Sequence, residues 1–197
     1  MRTRPELNSM KEKGQIIRQR IVEAANDLFY KQGYDHTSFT DIADAAGIAR
    51  GNFYYYFKTK DDILAAVIHD RVESSRAMLV SWDADIPDPR DRLKRYVAIL
   101  TNMQGEISQY GCPVGSLCTE LAKLEHIHYS EATEMFAVFR DWLETQIRLL
   151  GHNEDAPMLA LHLLARGQGV SMVTNAFRDD TFLKREAAAI EEWVDAL

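Results

Sequence analysis

Cysteine is scarce. Cys112 and Cys118 are the only two in 197 residues, and a spacing of six in a helical-looking stretch makes neither a disulfide framework nor a CxxC zinc pattern. No run approaches the 18 apolar residues that a membrane span needs, and the N-terminal MRTRPELNSMKEKGQIIRQR has no apolar core followed by a small-residue cleavage site. A reduced, cytoplasmic protein is expected, neither exported nor embedded. Strand alternation, repeats of solenoid period and low-complexity tracts are also missing. So are a Ser/His/Asp set, a glycine-rich phosphate loop and an HExxH motif, which leaves no basis for an enzyme or for a cofactor. His126 and His128, two apart in a connecting stretch, cannot share a helical face, and a metal site there lacks further ligands.

What the chain does have is an ordinary globular composition, 46% hydrophobic and 27% charged, and an uneven distribution of charge. The net charge of -7 is wrong for a protein that approaches phosphates. Residues 1–60, however, hold ten Lys/Arg against seven Asp/Glu, a net +3, while residues 61–197 hold thirteen against 23, a net -10. A basic head on an acidic body suits a protein that offers one end to a polyanion.

Apolar spacing predicts helices almost throughout. Ile17, Ile21, Ala24, Ala25, Leu28 and Phe29 form an amphipathic stripe that Gly33 stops. Thr37 is the expected hydroxyl cap of a second, two-turn helix, with Phe39, Ile42, Ala43 and Ala46 inward and Gly47 at its end. Ile48, Phe53 and Phe57 mark a third short helix. Thr59 caps a long fourth from Asp61 to about Trp82. Further helices are expected at roughly 89–107, 114–124, 129–150, 155–177 and 181–196. The fold expected is all-α, about nine helices, with a head at 1–60 and a ligand-sensing and dimerisation domain at 61–197.

Two short helices around a glycine turn make a helix-turn-helix, in which the second enters a major groove about 12 Å wide while the first braces it. The side chains agree with this. Arg50 can reach guanine O6 and N7, Gly51 lets the backbone approach, and Asn52 can bond a base edge or a phosphate. Tyr54, Tyr55 and Tyr56 offer hydroxyls to phosphates or, alternatively, pack within the head, Tyr56 being nearest the buried face. Lys60 adds a cation at the start of the long helix.

The stretch Thr37-Ser-Phe-Thr-Asp-Ile-Ala-Asp-Ala-Ala-Gly-Ile-Ala-Arg-Gly-Asn-Phe-Tyr-Tyr-Tyr-Phe-Lys-Thr-Lys-Asp-Asp-Ile-Leu64 resembles the DNA-binding signature of TetR-family (tetracycline repressor) regulators. The resemblance implies base contacts from Thr40, Arg50 and Tyr55, and backbone contacts from Thr37, Asn52, Tyr54, Tyr56 and Lys60. It also implies repression, a palindromic operator bound by a dimer, and release by a small-molecule effector. Ala49 departs from the pattern, since many members place Ser there, which removes a cap or a phosphate donor.

One recognition helix makes too few base contacts for specificity, and two must lie about 34 Å apart. Leu183, Ala187, Ile190, Val194 and Leu197 form an apolar stripe at 4, 3, 4, 3 spacing, which serves either as a homodimer seam or as packing on the chain itself. TetR relatives pair their last two helices, which favours the seam.

In the sensing domain, Cys112 sits just before a helix N-terminus, where the dipole favours a thiolate. The Gly-Cys-x-x-Gly stretch around it resembles a TetR subgroup that responds to electrophiles, quinones or acrylate-type compounds. The other reading is a small residue at a tight turn shaped by Pro113 and Gly115. Tyr96, Met103, Phe136, Phe139, Trp142 and Met172 are candidate pocket residues or core. Arg166, a cation in an apolar helix, needs an anionic ligand or an acidic partner. The competing function is a small helical enzyme or binding protein that does not touch DNA.

Overall fold

A computed structural model describes residues 4–197, with side chains from Glu12 onward apart from that of Arg50. The described residues form ten helices and no strand: α1 Arg4–Gln32, α2 Phe39–Ala45, α3 Arg50–Tyr56, α4 Lys60–Asp85, α5 Pro89–Asn102, α6 Gln104–Tyr110, α7 Pro113–Lys123, α8 Tyr129–Leu149, α9 Ala156–Phe177 and α10 Asp180–Asp195. The expected 89–107 helix is two. It breaks at Met103, which caps both pieces (φ -104°, ψ 17°).

The chain divides into two compact units, one ending at Asp70 and one spanning Arg71–Leu197, so the division falls inside α4. The first turns of α4 stay with the head because Ile63, Leu64 and Val67 are fully buried there. In the head, Gly33 (φ +88°) and Gly47 (φ +64°) take the left-handed conformation that ends α1 and turns α2 into α3, a region that costs glycine nothing. The cap of α2 is Ser38, not Thr37. Ser38 Oγ accepts the Asp41 N–H at 3.1 Å and Asp41 accepts the Ser38 N–H at 2.8 Å, a reciprocal capping box. These bonds from Ser38 hold the Asp41 carboxyl below the usual carboxylate range. Thr59 caps α4 as expected, accepting the Asp62 N–H at 3.0 Å.

The body packs α5, α8, α9 and α10 around one core that includes Leu93, Val97, Leu143, Ile147 and Leu163. The α10 stripe belongs to this core. Leu183, Ala187, Ile190 and Val194 are at most 2% exposed, and Leu197 packs beside them. That overturns the expected seam, because a helix with one apolar face cannot spend it twice. Exposed apolar side chains of the body include Val80, Ile127 and Leu149 as well as a row on α9, where Met158, Met172 and Phe177 are 71–77% exposed and Ala165 and Gly169 lie exposed between them. No described helix is long and apolar enough to cross a membrane.

Candidate nucleic-acid interface

The recognition surface is built from the inside out. Phe53 is fully buried and meets the Phe39 ring edge-on, centroids 4.6 Å apart. Phe39 in turn stacks on Tyr54 at 5.0 Å, so α2 and α3 are locked together through three rings. With Phe53 and Phe57 inward, α3 turns Gly51, Asn52, Tyr54 and Tyr55 to solvent, and Tyr55 is 81% exposed. Tyr54 thus does both things the sequence allowed, packing by its ring while remaining accessible. Tyr56 is half-buried, its ring edge-on to Tyr55 at 5.3 Å. Thr40 is half-buried on α2. The side chain of Arg50 lies outside the described residues. The N-cap position of α3 is Ala49, which supplies no side-chain bond.

Two expected contacts are turned inward. Thr37 is 1% exposed, its hydroxyl donating to the Gly33 carbonyl at 2.6 Å and accepting from Gln32 at 3.2 Å. It anchors the α1–α2 turn and does not face a partner. The Lys60 ammonium sits 4.1 Å over the Tyr34 ring and donates to the Tyr34 carbonyl at 2.9 Å. Its charge therefore braces the head before it meets anything else. Sequence reasoning missed Lys58, whose ammonium donates to the Tyr54 carbonyl and closes the C-terminal end of α3. A lysine in the turn after a short helix was the available signal.

In the body, Cys112 is the N-cap residue of α7. Its half-buried sulfur accepts the Gly115 N–H and a Gln168 amide N–H, each at 3.4 Å. The first glycine of the stretch is required by its backbone, whereas the second faces only the movable end of a side chain. Gly111 is buried at φ +80°, and a Cβ on Gly115 would come within 2.4 Å of Gln168 Oε1. Tyr96 shares this region, its ring 5.7 Å from Phe139 and its hydroxyl beside Gly167. Burial first, then the proximity of Cys112, push both the Tyr96 hydroxyl and the Cys118 thiol up, the latter to about 11. Cys118 is buried and donates to the Ala132 carbonyl at 3.3 Å, as expected of a core thiol. Arg71 of α4 donates to the Pro113 carbonyl at 2.7 Å, directly beside Cys112.

The other pocket candidates do not gather there. Met103 packs on the body core. Trp142 is buried against Trp82, and its indole N–H is held at 3.1 Å by the Asp83 carboxylate, which also accepts from Gln146 at 3.2 Å. Its one polar atom is thus committed to the α4–α8 contact and is not open to a ligand. Arg166 is half-buried with no hydrogen bond or ion pair among the described residues. His126 and His128 serve the α7–α8 turn: His126 Nδ1 accepts the His128 N–H at 3.2 Å, and His128 Nδ1 lies 2.8 Å from Glu131.

Comparison with known proteins agrees with this geometry. Residues 21–67 match the family model described as "Bacterial regulatory proteins, tetR family". An uncharacterised HTH-type transcriptional regulator in the lacX 3' region of Lactococcus lactis subsp. lactis is 32% identical over 122 residues, 61% of this chain and 62% of that one. The HTH-type transcriptional repressor DhaR of Mycobacterium sp. (strain GP1) is 27% identical over 130 residues, 65% and 62% of the two chains. The chain thus spans 62% of the length of each of these curated relatives. A TetR transcriptional regulator from Legionella pneumophila superposes with a TM-score of 0.78 at 25% identity, over 90% of this chain and 94% of that one. The helix-turn-helix is thus matched in sequence over residues 21–67 by the tetR family of bacterial regulatory proteins, and both units are similar in fold to a TetR regulator.

Proposed function

We propose that the protein is a cytoplasmic, ligand-responsive transcriptional repressor that binds a palindromic DNA operator as a homodimer and is released by a small-molecule effector. The observation that carries this is the α3 surface, where Asn52 and Tyr55 stand exposed on a helix held from behind by Phe53 and Phe39. A helical enzyme has no use for a small rigid unit whose most exposed face is amide and phenol. Gel-shift binding to DNA just upstream of its own gene tests the reading: salt-sensitive, sequence-selective binding is expected, and equal affinity for scrambled DNA refutes it. Within that assay Arg50→Ala is expected to relax base preference by about 1–3 kcal/mol at one position.

The effector side of the proposal rests on Cys112. The Cys112 sulfur is held at the helix start by two N–H bonds and can add to the β-carbon of an α,β-unsaturated carbonyl. The new bond is C–S, and the α-carbon takes up the proton that the thiol gave. The adduct sits one residue from the Pro113 carbonyl that Arg71 holds, and Arg71 is on α4, the helix that runs through both units. Acrylate or a quinone titrated against the DNA complex is expected to release the wild type. Cys112→Ser is expected not to respond, and Arg71→Ala is expected to form the adduct, seen by intact mass, with weakened release. Identical release of wild type and Cys112→Ser means that the thiol is not the sensor.

A further inference from the structure

A cleft of about 540 Å³ opens in the head between α1 and α3, with Ile17 and Arg20 on one wall and Gly51, Asn52 and Tyr55 on the other. Arg20 is exposed and has no hydrogen bond or ion pair among the described residues. Arg18, two residues earlier, is spent differently, its guanidinium 4.7 Å over the Phe57 ring. The described residues that line the cleft include no carboxylate. They bring together a guanidinium, an amide and a phenol hydroxyl, all able to donate to one anionic group. Above Gly51 there is room, since a Cβ there would meet nothing within 4 Å.

We propose that Arg20 is a DNA-backbone contact, its guanidinium taking a phosphate at the mouth of this cleft beside Tyr55. The inference rests on the DNA-binding reading above and adds a residue to it. Arg20 lies on α1, behind the helix that enters the groove, so it meets the strand wall and not base edges. Its exposure favours a polyanion over a free small anion. In open water a single ion pair is worth little, whereas each phosphate neutralised on a duplex also releases condensed counterions. Such an interaction fixes register and adds affinity without reading sequence.

Because a phosphate interaction needs no particular operator, a labelled random-sequence duplex of about 30 base pairs can be titrated by anisotropy between about 50 and 200 mM salt. For Arg20→Ala, the slope of log K against log salt is expected to fall by about 0.9 for each phosphate no longer neutralised, about 1.8 for a dimer. Arg20→Lys should keep the slope, and Arg20→Gln should lose it while melting like the wild type. The loss should be the same on DNA from upstream of the protein's own gene. An unchanged slope in Arg20→Ala, or a loss confined to one sequence, overturns the assignment while leaving the regulator intact. If the wild type itself shows no salt-dependent duplex binding, the DNA-binding reading fails and the Arg20 assignment goes with it.

Discussion

Met172→Glu is expected to convert the protein in sedimentation velocity from a particle of twice the 22.5 kDa chain mass to one of the chain mass, and to abolish operator binding. Met172 is 72% exposed on a face of α9 that runs through Met158, Leu161, Ala165 and Gly169, an apolar strip with small residues at its middle. Monomers rarely leave such a strip open, and small residues let two helices approach closely. In a twofold interface each substitution occurs twice. A carboxylate taken out of water costs several kcal/mol, so at ~3 kcal/mol each two copies cost ~6, about 10⁴-fold in dimer affinity. The lost dimer takes DNA binding with it, because a monomer has one recognition helix where specificity needs two. Ile190→Asp gives the contrast. Ile190 is 1% exposed inside the body, so a charge there should unfold the chain instead of dissociating it. A Met172→Glu protein that still sediments as a dimer would place the interface elsewhere.

The same pair of helices shows where sequence reading stops. The 4, 3, 4, 3 spacing on α10 correctly says that the helix has one apolar face, but period carries no information about whose surface that face meets. On α9 the opposite holds. An apolar helix shows no preferred face in sequence, and only packing decides that Leu163 and Val170 go in while Met158 and Met172 stay out. The helix-turn-helix was legible because it is specified locally, by Gly33, Gly47 and the Phe39, Phe53 and Phe57 spacing. Even the cap could have been read correctly, since Ser38 has an acid three residues on and Thr37 does not. Arg20 and Arg71 were not legible. Each is an ordinary cation on a polar helix face until the fold brings α3 or the Pro113 carbonyl to it. Lys60 fails in the reverse sense, because its apparent freedom in sequence is taken up by Tyr34, 26 residues away.

Phe53→Ala is expected to cost about 3–5 kcal/mol, the range for deleting a buried aromatic ring, and the small head cannot absorb that. A unit of some 70 residues gains only about 3–5 kcal/mol from its core, so the loss is comparable to all it has. Phe53 is also the base of the ring stack. Without it Phe39 loses its edge-on partner and Tyr54 its support, and the exposed face of α3 goes with them. The body has its own core and should not follow. The variant should therefore remain a dimer by sedimentation and keep a cooperative melt for the body, while limited proteolysis cuts first before Asp70 and duplex binding is lost at every salt concentration. Phe53→Leu, which keeps most of the volume, should recover part of the binding. Wild-type DNA affinity in Phe53→Ala would mean that α3 is held by something other than this stack, and the recognition surface would then have no physical basis in the Phe39, Phe53 and Tyr54 rings.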